Sequence, residues 1–348
     1  MQITTRFRRL SALTFVVGAV GLTACGTVSP IVPNPTPNTG PLPTLPSTTA
    51  PPSTMGPPPT TVPEQCSSSS AALVCRQVTV GGVTRKVFAH VPTTAAPAAG
   101  RPVVLFFHGD GGGGNGALST LYRETDPEGA IVLQLDGPNN VPSYARGGTA
   151  WSFYMDGTGP DDVLFTKVVV DELLGGTLLP GVAADADRVY AVGGSRGGFM
   201  VDTLAVDVRT SGYFAGVVNL WGAFYCESGD DVCQARIDNG GMTVSTPVLH
   251  IHGDADPVVA PPARVPSPVT KSISWPWPLA QFAYGNGCSG DFGFSATLTS
   301  MGGYPTYRYS PVGGCPKDIQ LVLVKGGGHG VWGWEAYAWS FLSGKARS

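Results

Sequence analysis

Six short runs dominated by apolar residues recur along the chain: 102–107 (PVVLFF), 130–135 (AIVLQL), 188–192 (RVYAV), 215–221 (AGVVNLW), 247–251 (PVLHI) and 320–324 (QLVLV). Apolar runs without polar alternation are what strands buried on both faces look like, and parallel sheets bury their strands in this way. Residues 76–91 (RQVTVGGVTRKVFAHV) behave differently. There apolar and polar positions alternate about Gly81-Gly82, the pattern of a β-hairpin. Helical stretches fall between the runs. One opens at Asp161-Asp162, where acids suit the positive end of a helix, and runs to about Leu174. A second is expected from Arg196 to about Val208, and a third near 278–284. Strands alternating with helices predict an α/β fold, a mostly parallel central sheet with helices on both faces.

The first 65 residues lack this pattern. Arg6, Arg8 and Arg9 precede an apolar stretch from Leu13 to Leu22 that is too short for a permanent membrane-spanning helix. Leu22-Thr23-Ala24-Cys25 follows and resembles a bacterial lipobox, in which the cysteine becomes the lipidated first residue of the mature protein. An ordinary signal peptide with a chance cysteine is the alternative. Residues 26–63 carry no charge and are dense in proline, so neither helix nor sheet persists. Such a linker reaches at most ~120 Å at ~3.1 Å per residue. The expected organisation is a lipoprotein signal peptide over 1–24, lipidated Cys25 with its linker to 65, and one globular domain over 66–348.

Composition narrows the setting. Charged residues make up 13% of the chain against 48 glycines and 32 prolines, which suits a loop-rich exported protein. The formal net charge is −3, and removing residues 1–24 deletes three positive charges and no negative ones, leaving −6. No basic stripe for nucleic acid arises. Besides Cys25 there are six cysteines, Cys66, Cys75, Cys226, Cys233, Cys288 and Cys315. In an exported chain six suggest three disulfides, with neighbour pairing the simplest of the possible connectivities. No C-x2-C pair favours zinc.

The candidate chemistry centres on 188–198 (RVYAVGGSRGG), where a strand ends and Gly193-Gly194-Ser195-Arg196-Gly197 satisfies G-x-S-x-G before a helix. So tight a turn excludes side chains beside the serine, lifts its hydroxyl above the sheet and aims helix amides at the same point. A serine needs a base with a pKa near neutrality, and His329 in KGGGHG follows the last apolar run. An acid to orient that imidazole is offered by PVLHIHGDADPVV, with Asp256 preferred over Asp254. His90 and His250 lie within strands, and His108 and His252 are expected to brace loops. The segment 104–114 (VLFFHGDGGGG) offers backbone N–H groups for an oxyanion, one on Asp110 or Gly111 and a second on Arg196. A carboxylate at Asp110 would oppose an oxyanion, so its side chain must turn away.

These elements resemble the α/β-hydrolases, which carry serine, acid and histidine in this order. The elbow, HGDADPVV, Asn286-Gly287-Cys288, and Cys315 followed by GGGHG are similar to the secreted polyhydroxybutyrate-depolymerase and feruloyl-esterase group, over roughly residues 75–342. The resemblance implies a serine esterase working through an acyl-enzyme on Ser195. Its substrates would be carboxylic esters, of polyhydroxyalkanoate, feruloyl or acetyl-polysaccharide type, and polymeric ones among them. It also implies a Cys288–Cys315 disulfide. Two departures border the acyl site: Arg196 stands where the group has a small residue, and Trp332 lies three rather than two positions after the histidine.

Only about two dozen residues separate the strand ending near Gly222 from the one beginning near Pro247, and Cys226 and Cys233 are expected to pinch them. No large cap domain fits there. Trp275, Trp277 and Trp332 are expected to line an open cleft, with packing at the domain edge as the alternative. The expected state is a monomer without cofactor or metal, outside the cytoplasm, touching a membrane through its N-terminal lipid only. Three rival readings remain. Gly109–Gly114 with Asp136 fits a dinucleotide fingerprint, and His250, His252, Asp254 and Asp256 could begin a metal site. The third is a non-catalytic surface lipoprotein that binds glycans or a partner.

Overall fold

The computed structural model describes residues 64–348, apart from 69, 71, 117, 139–148, 153–159, 208, 224–245, 264–271, 274–278, 280–281, 284, 289–291, 312–313 and 348. The signal peptide, Cys25 and the linker lie outside the described residues, as do Cys226, Cys233, Trp275, Trp277 and most of the segment expected to lack a cap.

The six apolar runs form the parallel centre of one sheet. They become β4 (Arg101–Phe107), β5 (Ile131–Leu135), β6 (Ala184–Gly194), β7 (Gly216–Leu220), β8 (Val248–Gly253) and β12 (Ile319–Val324). The alternating segment forms the expected hairpin of β2 (Val74–Val80) and β3 (Val83–His90). Before it lies β1 (Gln65–Cys66), and between β8 and β12 lie β9 (Ser272–Ile273), β10 (Phe292–Met301) and β11 (Tyr304–Pro311). The described strands run in the order β1-β2-β3-β5-β4-β6-β7-β8-β12-β11-β10-β9. Pairing is parallel from β5 through β12 and antiparallel on both flanks. The centre is parallel as expected, and the flanks add antiparallel hairpins that need no helical crossover.

Helices cover both faces. α2 (Asp162–Leu174) and α3 (Arg196–Val206) lie on one side, where Phe165, Val169, Met200 and Leu204 pack with Val103, Leu105 and Phe107 of β4. α1 (Ser119–Thr125) and α4 (Trp334–Leu342) lie on the other, where Leu121, Trp334 and Trp339 pack with Val104 and Val192. Neighbours along one strand thus feed two cores, which is why these runs show no polar alternation. Each such side chain contributes about 1.5–3 kcal/mol. Asp161 caps α2 by accepting from the Leu164 amide at 2.9 Å. Residues 279, 282, 283 and 285 are helical, the first three of them within the third expected helix. Among the described residues no helix is long and apolar enough to cross a membrane.

Disulfides join Cys66 to Cys75 and Cys288 to Cys315, as neighbour pairing expects. The first ties β1 to the strand beside it, where the two cysteines are register partners.

Candidate active site

The strand-to-helix turn at the end of β6 holds Ser195 at φ 54° and ψ −121°. A non-glycine residue rarely adopts this backbone, and the surrounding structure over-determines it. The Ser195 amide donates to the Leu220 carbonyl of β7 at 2.8 Å, and the helix begins at once. Gly197 meets the end of β4 so closely that a Cβ would overlap the Phe107 carbonyl oxygen. The turn is therefore wedged against the strand that carries the 108–114 loop.

The three side chains singled out in the sequence meet here. His329 Nε2 lies 2.9 Å from Ser195 Oγ, and His329 Nδ1 lies 2.8 Å from Asp256 Oδ2. Asp256 follows β8 and His329 follows β12, its parallel neighbour. The two loops pack backbone on backbone, and a Cβ on Gly253 would overlap the Gly327 carbonyl. The other Asp256 oxygen accepts from the amides of Val258 (2.7 Å) and Val259 (3.0 Å). Burial works to raise the Asp256 carboxyl, but the His329 hydrogen bond and these amides outweigh it and leave its pKa below the ordinary carboxylate value. Asp254, the competing acid, accepts from the Gly326 amide at 2.6 Å and so braces the histidine loop from outside. An imidazole held between a hydroxyl and an ionised carboxylate can take the hydroxyl proton as the oxygen attacks.

Leaving out β1, the strand order from β2 to β12, with one antiparallel strand before the parallel centre and a nucleophile turn after β6, decides the architecture. The chain has the α/β-hydrolase fold. No family model matches its sequence. A protein named "Putative esterase NocK", from Nocardia uniformis subsp. tsuyamanensis, is 33% identical over 258 residues, which cover 72% of this chain and 64% of that protein. Among solved structures, an acetyl xylan esterase from Aspergillus awamori is 17% identical, covers 77% of this chain and 98% of its own, and gives a TM-score of 0.49. An S-formylglutathione hydrolase from Agrobacterium tumefaciens is 16% identical, covers 81% and 95%, and gives 0.48.

The loop after β4 lies over the serine. A Cβ on Gly109 would stand 3.4 Å from both the Gly194 carbonyl oxygen and Ser195 Cβ. Of the two loop amides expected to face an oxyanion, that of Gly111 donates to the Thr149 carbonyl at 2.9 Å. This use competes with the expected role of Gly111 and leaves Asp110 as the candidate loop donor. The Asp110 carboxylate turns to Arg196, whose guanidinium lies 3.7 Å away and is buried. His108 braces the loop, with Nδ1 2.7 Å from the Gly109 carbonyl and Nε2 accepting from the Gly137 amide at 3.0 Å. Asp136, placed by the sequence opposite a dinucleotide ribose, instead accepts from the Gly114 amide.

Two features escaped the sequence reading. His252 Nε2 lies 3.1 Å from both Asp256 Oδ2 and the Val259 carbonyl. Both are acceptors, so Nε2 carries the proton. Burial lowers the His252 pKa against the pull of Val259 and Asp256, and takes His250 down to about 3 with help from His252. Both rings are neutral. His252 Nδ1 is then an acceptor for His250 Nε2–H at 3.3 Å, which also reaches the Gly222 carbonyl at 3.1 Å. The Gly222 amide donates to Asn219 Oδ1 at 2.8 Å, and Asn219 Nδ2 donates to Asp202 Oδ2 at 2.6 Å. A buried polar chain thus runs from α3 to Asp256. Among the described residues no group of three or more His, Cys, Asp or Glu side chains is arranged to hold a metal ion.

The second feature is Trp221, at φ 41° just past β7. A Cβ on Gly194 would lie 3.3 Å from its indole, so this ring flanks the serine turn. No motif announced it, although a tryptophan ending a strand beside the elbow strand is the available signal. Trp332, expected in a cleft wall, is 79% exposed beside the β10–β11 turn.

Proposed function

We propose that this protein is a serine hydrolase of carboxylic esters. The observation that carries the reading is the unbroken hydrogen-bonded line from Ser195 Oγ through His329 to Asp256. In this mechanism Ser195 Oγ bonds to the ester carbonyl carbon while its proton passes to His329 Nε2. The carbonyl electrons move onto oxygen, held by the Asp110 and Arg196 amides. The C–O bond to the alcohol then breaks, and the alcohol leaves with the proton from His329. Water adds to the acyl-enzyme with His329 again as base, releasing the acid and restoring Ser195. Asp256 stays ionised throughout. The esterase name of the 33% identical relative supports the same reaction class.

The substrates fitting the sequence resemblance are polyhydroxyalkanoate, feruloyl and acetyl-polysaccharide esters, and Trp332 offers them an exposed apolar surface. The protein acts outside the cytoplasm, anchored through a lipid on Cys25. Its disulfides suit that compartment. The test is a screen of the chain and of Ser195→Ala against these three ester classes and short-chain nitrophenyl esters. Turnover above the Ser195→Ala level in any class is expected, and equal rates for the two proteins in every class would overturn the reading.

A further inference from the structure

Both residues bracketing the expected oxyanion position carry charges that a site for a developing anion does not obviously want. Asp110 adds a carboxylate in the loop over Ser195, and Arg196 adds a cation at the first helical residue. The two charges face each other, with Arg196 Nη1 3.7 Å from Asp110 Oδ1 and side-chain exposures of 5% and 18%. The guanidinium is held from a second direction, because Arg196 Nε donates to the Trp151 carbonyl at 2.9 Å. The Trp151 indole in turn donates to the His108 carbonyl at 2.9 Å, two residues before Asp110. One arginine side chain therefore links the serine turn to the loop that covers it, both directly and through Trp151.

We propose that the Arg196 side chain is a positioning residue for the oxyanion hole, a clasp that neutralises the Asp110 carboxylate and fixes the Asp110 amide opposite the Arg196 amide. This rests on the serine-hydrolase reading above. A carboxylate about 6 Å from a forming oxyanion, at an effective dielectric of about 20, slows its formation by up to about 100-fold when its charge is not offset. Arg196 removes that penalty without placing a free cation in the site. The sequence departure at position 196 and the acid at position 110 thus explain one another.

The test follows the second-order rate at which a fluorophosphonate labels Ser195, because phosphonylation also builds negative charge on an oxygen in the hole and needs no known ester. Full-length protein and three variants are compared, with nitrophenyl acetate hydrolysis measured in parallel. Arg196→Gln is expected to label more slowly, by up to about 100-fold from the same estimate. Asp110→Asn should stay within about threefold of wild type, because the guanidinium loses one anchor while the carboxylate that opposed the oxyanion is gone. The double variant Asp110→Asn/Arg196→Gln should recover about tenfold over Arg196→Gln, because no carboxylate is left to oppose the oxygen. Loss of a structural brace predicts the reverse, a double variant no faster than the single one, and that result overturns the proposal. Should Arg196→Gln fail to fold, Arg196→Lys carries the test. It keeps the charge with a shorter hydrogen-bonding reach and should stay within about tenfold of wild type, and a drop beyond that overturns the clasp. Labelling of Ser195 without turnover of any ester would remove the esterase reading and leave the clasp to be judged on labelling. An unlabelled wild-type Ser195 removes both.

Discussion

His252 Nε2 and His329 Nδ1 reach the same oxygen of Asp256, at 3.1 and 2.8 Å. One imidazole faces the serine, while the other is sealed in the sheet with no exposed surface. The buried ring holds the carboxylate in register and draws off part of its charge. His252→Leu should lower kcat about tenfold at unchanged KM, a loss on the scale of one buried hydrogen bond. His252→Gln, which can still donate, should retain most of the rate. Equal losses in His252→Leu and His252→Gln would leave His252 a packing residue.

Ser195→Ala and His329→Ala should each remove nearly all ester hydrolysis, and combining them should cost little more, because the pair acts as a unit. Asp256→Asn should lower kcat by about 10³–10⁴-fold. Asp254→Asn, which weakens a brace to the Gly326 amide, should stay within about threefold of wild type in kcat, as expected for a hydrogen bond outside the line. Steady-state kinetics on a soluble nitrophenyl ester would decide between the two acids, and a larger loss at Asp254 would reverse their assignment.

The Cys288–Cys315 bond closes a stretch with a sequence separation of 27. Chain-entropy arguments give such a crosslink about 3.5 kcal/mol. A paired Cys288→Ser/Cys315→Ser variant should therefore melt several degrees below wild type and lose its response to reductant at this site. Equal melting temperatures would show that the bond adds nothing.

Asp202 has a different pH consequence. Burial pushes its carboxyl up to about 8, against the hydrogen bond from Asn219, and its other oxygen has no partner among the described residues. The folded value lies above the unfolded one of about 3.9. The native state therefore binds this proton more tightly. Its stabilising effect is complete below about pH 4 and is lost as pH rises toward and through about 8. Asp202→Asn should remove this slope, gaining about 2 kcal/mol or more over wild type at pH 9 and little at pH 5. Urea unfolding at the two pH values would show it, and parallel pH slopes for wild type and variant would refute it.

Much of this architecture was legible because the parallel strands are buried on both faces and so carry unbroken apolar runs. The hairpin of β10 and β11 was not. Its residues alternate and turn at Gly302-Gly303 as β2 and β3 do at Gly81-Gly82, but Pro305 and Pro311 argue against a strand. Ser195, Asp256 and His329 were readable because each follows a strand end with glycine nearby. His252 was read only as a loop brace, since its contact with Asp256 depends on how the chain turns after β8. The bond made by the Gly111 amide was hidden for a similar reason, because its acceptor, Thr149, lies 38 residues away in the sequence.

The overlap that a Cβ on Gly253 would make with Gly327 carries a consequence for mutational landscapes. At this contact between the acid and base loops main chain touches main chain, so no side chain there could be trimmed to make room. In a saturation library selected for hydrolysis, position 253 should appear as an empty column as stringent as that of Ser195, though it meets no substrate. Recovery of a substitution there should require a second change that retracts the Gly327 peptide. Such paired survivors would mark the one route by which the geometry of this site can drift.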